Sequence, residues 1–160
     1  MEEFHDISRS VLDDDGSCRD LNFDCPTWAG LGKAFEYLLK AFGVVSATSG
    51  EGVDIQDPKP DRLVEIAAGG GTLHVLLNGG HGLFRSMQVF ACKNEDGSPF
   101  VELTFFPSDV QRPPSLRDDF VQWLQMFRDL LAASRAYARY ENASWKQGDA
   151  GPSSGVFLAV

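Results

Sequence analysis

Two stretches of the chain carry apolar residues at helical spacing. Trp28, Leu31, Phe35, Leu38, Leu39 and Phe42 line one face of a helix over 28–42, which Thr27 is placed to cap and Gly43 to end. Gly30 and Gly32 fall inside that pattern, and each costs a helix about 1 kcal/mol relative to alanine. Leu116, Phe120, Trp123, Leu124, Phe127, Leu130 and Leu131 form the stripe of a second helix. Pro113-Pro114 stops the preceding segment, Ser115 is placed as its cap with Asp118 at the third helical position, and Asp118, Asp119, Arg128 and Arg135 suit the helix dipole.

Between these helices the pattern is that of strands. Segments 63–67, 72–77, 83–92 and 100–106 read as an antiparallel meander, joined through Gly69-Gly70-Gly71, the hairpin dipeptide Asn78-Gly79, and Asn94–Ser98. A short strand over 18–24 places Leu21 and Phe23 on one face, 44–47 is a further strand, and 48–61 is a Gly, Asp and Pro loop. Residues 136–141 read as a final edge strand carrying Tyr137 and Tyr140. These elements imply an α+β domain, an antiparallel sheet of four to six strands with two amphipathic helices packed mainly on one face. Residues 1–160 are expected to form a single domain, with 1–17 and 146–160 as partly flexible ends. The open sheet face, or the loops at its ends, is where such a fold would bind something.

Composition narrows the class. At 160 residues, 43% hydrophobic and 23% charged, the chain can bury an ordinary globular core without disulfides or metal. Its net charge is −9, which disfavours contact with a phosphate backbone. The acidity is segregated, for residues 1–61 carry thirteen acids against five bases. That surplus is either a solvated face that keeps the protein dispersed or a landing surface for a basic protein. Met1–Asp6 lacks the basic and apolar regions of a secretory signal, no stretch reaches the length of a membrane span, and Cys18, Cys25 and Cys92 cannot all pair. The expected compartment is the cytoplasm, with the thiols free.

Most catalytic chemistry fails on inspection. Asp13-x-Asp15-x-Ser17 begins like a calcium loop, but Cys18 stands where the turn needs glycine and no helix precedes it. Gly69-Gly70-Gly71-Thr72 lacks the Lys-Ser/Thr of a phosphate loop. His74 and His81 lie seven apart across a turn without a third ligand, and no serine or cysteine has an evident partner base. No metal, cofactor or catalytic residue is therefore assigned, and the chain is expected not to be an enzyme.

The C-terminal region is the most distinctive. Tyr137, Tyr140 and Trp145 interleave with Arg135, Arg139 and Lys146. Such a run can stack single-stranded nucleic acid, anchor a protein interface, or close the core with its aromatic rings. The small, acidic α+β layout, closing with Tyr140-Glu141-Asn142-Ala143-Ser144-Trp145-Lys146-Gln147-Gly148-Asp149, resembles the immunity proteins of bacterial polymorphic-toxin and contact-dependent secretion systems. The resemblance implies a cytosolic inhibitor that binds one cognate toxin with a basic surface and occludes its active site. It implies neither nucleic acid nor membrane as partner. On that reading Asp13, Asp14 and Asp15 steer the encounter, and Tyr140 and Trp145 anchor the complex. The alternatives are a small-ligand domain or enzyme with a pocket converging on His74, His81 or paired carboxylates, and a module that self-associates through the open sheet face or the Val156–Val160 tail.

Overall fold

The computed structural model describes residues 1–50, 52–141 and 148–160. Its elements run β1 (Glu2–Glu3), α1 (Ile7–Leu12), β2 (Arg19–Asp24), α2 (Leu31–Ala41), β3 (Gly43–Ser49), β4 (Val53–Asp54), α3 (Pro60–Ala68), β5 (Leu73–Asn78), β6 (Met87–Lys93), β7 (Pro99–Phe105), α4 (Leu116–Leu130), β8 (Arg135–Tyr140) and β9 (Val156–Ala159). Among the described residues nine strands form one antiparallel sheet in the order β1-β9-β8-β2-β7-β6-β5-β3-β4. The α+β class stands, but the sheet exceeds the expected four to six strands and four α-helices are present among the described residues.

The differences have local causes. Segment 63–67, read as a strand, is the end of α3: Leu63 and Ala67 are four apart and both buried, and Pro60 starts the helix where its missing N–H costs nothing. A five-residue apolar alternation fits either period, and the proline decides it. The supposed loop 48–61 accordingly holds the end of β3, β4 and the start of α3. The meander keeps only its last three members, β5, β6 and β7, and β6 begins at Met87 because Phe84 bridges to Val110 instead. Segment 136–141 is not an edge: β8 lies between β2 and β9, since the apolar C-terminal segment supplies a further strand.

The helix caps differ as well. Helix α2 begins at Leu31 with Gly30, not Thr27, at its cap, and Gly43 opens β3. At Gly30 a Cβ would lie 2.2 Å from the carbonyl carbon of Leu131, so this glycine permits the close approach of α2 to the end of α4. The Ser115 hydroxyl donates to the Asp119 carboxylate at 2.9 Å and caps no backbone N–H.

The register sorts the two sheet faces. Ala138, Leu21, Leu103, Val89, Val75 and Ala47 oppose one another across β8, β2, β7, β6, β5 and β3, and all are buried. Over them pack the apolar stripes of the helices: Phe127 meets Phe23 at 5.3 Å and Phe120 meets Phe105 at 6.0 Å between ring centroids. Full burial of each such side chain contributes roughly 1.5–3 kcal/mol. Ile7 and Val11 of α1 and Leu63 and Ala67 of α3 join the same core. The helices thus share one face, as the two amphipathic stripes imply, and the opposite face carries the alternate residues.

Candidate functional site

The acidic segment 13–15 is built around a buried cation. Arg19 of β2 points to the helix side of the sheet and is wholly buried. Its Nε donates to the Ser10 carbonyl at 2.7 Å, one Nη to the Asp13 carbonyl at 2.7 Å, and the other to the Ser17 hydroxyl at 2.8 Å and to the Asp15 carboxylate at 3.4 Å. Asp15 also accepts from the Ser17 hydroxyl at 2.5 Å and the Ser17 N–H at 3.0 Å. Those two bonds, with Arg19 after them, hold the Asp15 carboxyl at about 2. Asp13, Asp14 and Asp15 are all exposed, yet Asp13 contributes a backbone acceptor and Asp15 its carboxylate to ordering the loop on Arg19.

Tyr140 belongs to the same assembly. It stands opposite Arg19 in the register, its ring centroid 4.8 Å from the guanidinium carbon, and its hydroxyl donates to the Ser10 hydroxyl at 2.7 Å. The ring also meets Phe157 at 5.2 Å, so Tyr140 is half-buried structure between β2, α1 and β9. Tyr137 is buried on the other face with Val156, Ala159 and Phe4. Trp145 lies outside the described residues.

The face away from the helices divides in two. Toward β8 it holds a network of ionic and polar groups. Arg139 Nε donates to Asn22 at 2.6 Å, and Nη2 lies 3.2 Å from Glu102 and 3.4 Å from Asp20. Thr104 donates to Asp20 at 2.9 Å, and Asn22 Nδ2 to Glu102 at 3.0 Å. Burial first, and then the Glu102 charge, push the Asp20 carboxyl above its usual range, while Thr104 and Arg139 oppose them. Beside them the Tyr137 hydroxyl donates to Asp24 at 2.7 Å; burial raises the Asp24 carboxyl against that bond and the Gly148 N–H.

Toward β4 no described element covers the same face. One transverse row runs Asp54, Thr48, His74, Phe90, Glu102, and the next runs Ser46, Leu76, Gln88, Thr104, Asp20. Phe90 is 36% exposed and meets Phe100 edge-on at 6.1 Å, and His74 Nε2 lies 3.2 Å from the side-chain Oε1 of Gln88. A groove of about 220 Å³ continues the surface past Val45, Leu76 and Phe106 to Asp109. Of these residues only His74 was singled out from the sequence, and the alternation Phe100, Glu102, Thr104, Phe106 over segment 100–106 was the available sign of the rest.

The tested chemistries stay apart. His74 faces the open sheet surface, while His81 is exposed beside Arg112 and Asp119 in a shallow cavity of about 560 Å³. Among the described residues no three His, Cys, Asp or Glu side chains are grouped to hold a metal ion, and no helix is long and apolar enough to cross a membrane. The three cysteines are free, and burial pushes the Cys18 thiol up to about 11 and that of Cys25 up to about 12.

One chain of the crystal structure of the toxic C-terminal tip of CdiA from Pseudomonas aeruginosa in complex with immune protein is similar in fold, with a TM-score of 0.63 over 89% of this chain and 94% of that one, at 14% identity. No protein-family model matches the sequence, and no curated protein sequence matches it. The fold described above is therefore one that also occurs in a toxin–immune protein complex.

Proposed function

We propose that this chain is an immunity protein that binds a cognate bacterial toxin stoichiometrically and blocks its active site. The observation that carries the reading is the fold correspondence, which spans nine-tenths of both chains and is independent of sequence similarity. Two features of this chain favour the inhibitor's side of such a pair. Its net charge of −9 suits the covering of a basic active-site surface. Its buried cations also serve the fold: Arg19 and Arg139 donate to groups of the chain itself, where a catalytic site would hold groups poised toward a substrate. Inhibition on this reading needs no turnover and no cofactor, and the working compartment is the cytoplasm.

Co-expression with the product of the adjacent upstream gene tests this. Rescue of growth from a toxic neighbour, together with a 1:1 complex on size-exclusion chromatography, is the expected result. A harmless or non-binding neighbour, or toxicity of this chain expressed alone, overturns the reading.

A further inference from the structure

We infer that the toxin docks on the uncovered sheet face of β3, β5, β6 and β7, with Phe90 at the centre of the contact and Glu102 and Asp54 receiving basic side chains at its rim. This rests on the immunity reading and goes beyond it by locating the surface and the chemistry of its occupant. Four strand spacings separate β4 from β7, so the face is roughly 19 Å wide. Helices cover the opposite face, and Tyr137, Val156, Ala159 and Phe4 close the β8–β9 end of this one. Leu76, Phe90, Phe100 and Phe106 remain half-buried or exposed with no described element above them.

Charge identifies the occupant. The outward positions of the described strands carry five carboxylates, Glu2, Asp20, Asp24, Glu102 and Asp54, against two guanidinium groups. Arg139 is shared between Asp20 and Glu102, and Arg135 is paired to Glu2. Among the described residues the surplus is negative, and Asp20 and Glu102 converge on Arg139 inside a partly desolvated cluster. A lysine or arginine from a partner relieves that excess, whereas a second copy would bring the same negative face to it. An uncharged aromatic centre within an acidic rim is the anatomy of a protein interface, with the rim steering the encounter and the centre slowing dissociation. The segment 13–15 is a weaker candidate, because Arg19 already holds it.

The test uses the full chain with its neutralised toxin. Phe90→Asp should weaken binding at least 100-fold by calorimetry, with an unchanged circular dichroism spectrum. Glu102→Gln should slow association and flatten its salt dependence. Asp13→Asn combined with Asp14→Asn should leave affinity within threefold. A footprint on the unmutated protein guards against misfolding: Cys92, opposite Phe100 on this face, should alkylate more slowly in the complex, and Cys18 at its former rate. Tight wild-type binding with Phe90→Asp unaffected and Cys92 unprotected overturns the surface and leaves the immunity reading standing. Absence of wild-type binding overturns both. A wild-type dimer that Phe90→Asp dissociates overturns the toxin as occupant in favour of a second copy.

Discussion

Arg19 and Tyr140 stand directly opposite one another on β2 and β8, and the buried guanidinium lies 4.8 Å from the centroid of the tyrosine ring. Through this pair the sheet is fastened to α1 and to the acidic loop, since Arg19 reaches the carbonyls of Ser10 and Asp13 while the tyrosine hydroxyl reaches Ser10 from the other side. Arg19→Met should lower the unfolding free energy by about 3–5 kcal/mol, as the loop acceptors lose their donor and Asp15 its cation. Tyr140→Phe, which removes one hydrogen bond and keeps the ring, should cost about 1 kcal/mol. Urea denaturation of both variants separates the two contributions.

Asp15 gives the same loop an acid limit. Its folded-state value is depressed from 3.8 to about 2, chiefly by the two Ser17 hydrogen bonds. A depressed carboxyl stabilises the fold above its unfolded value, and that contribution is lost as pH falls from near 3.8 toward 2. Carboxyl NMR titration should place Asp15 at the low end of the acids, and Asp15→Asn should flatten stability against pH across this window.

The network on the opposite face makes an asymmetric prediction. Asp20 is raised by burial and by Glu102, so the folded protein holds this proton to higher pH than the unfolded chain does. Its ionisation therefore opposes folding, and stability falls as pH rises from 3.8 through the folded-state value. Asp20→Asn should be neutral or stabilising at pH 7 and should remove that fall. Arg139→Met should instead cost about 3–5 kcal/mol, because it leaves Asp20 and Glu102 facing each other across a buried site. Thermal melts of both variants across pH 4–8 read the difference.

Two glycines that look alike in sequence should behave oppositely. At Gly30 an added Cβ would meet backbone atoms of Leu130 and Leu131 at 2.2–2.5 Å, so Gly30→Ala should force α2 away from α4 and destabilise the protein. At Gly32 it would meet nothing within 4 Å, and Gly32→Ala should stabilise by roughly 0.5–1 kcal/mol through helix propensity. Chemical denaturation midpoints of the two variants decide it.

The thiols should be slow. Burial raises all three, Cys25 and Cys18 to about 12 and 11, so little thiolate exists near neutrality. A disulfide reagent at pH 7.5 should react far more slowly with the native protein than with a free cysteine, and with all three thiols at once in denaturant.

Periodicity over long segments was enough to locate α2, α4 and the hairpins β5–β6–β7, because six or seven apolar residues at helical spacing or a strand bounded by Asn-Gly admit one period only. It failed where segments were short. Leu63–Ala67 fits both periods, and β1, β4 and α1 are too brief to leave any pattern. The acidity of 13–15 was legible as charge, while its attachment to Arg19 was not, since a buried arginine and an exposed one read alike.

The chain by itself determined the class, two helix stripes, the acidic balance and the alternation that makes one face of β5, β6 and β7 apolar. These are properties of neighbours within a few residues, which covalent spacing fixes. Tertiary structure alone decided that the C-terminal segment enters the sheet as β9, that β8 is interior, that Asp20, Glu102 and Arg139 converge, and that Phe90 is left uncovered. Each depends on which distant strands pair and in what register, and a shift of one residue would have turned every one of those side chains to the other face.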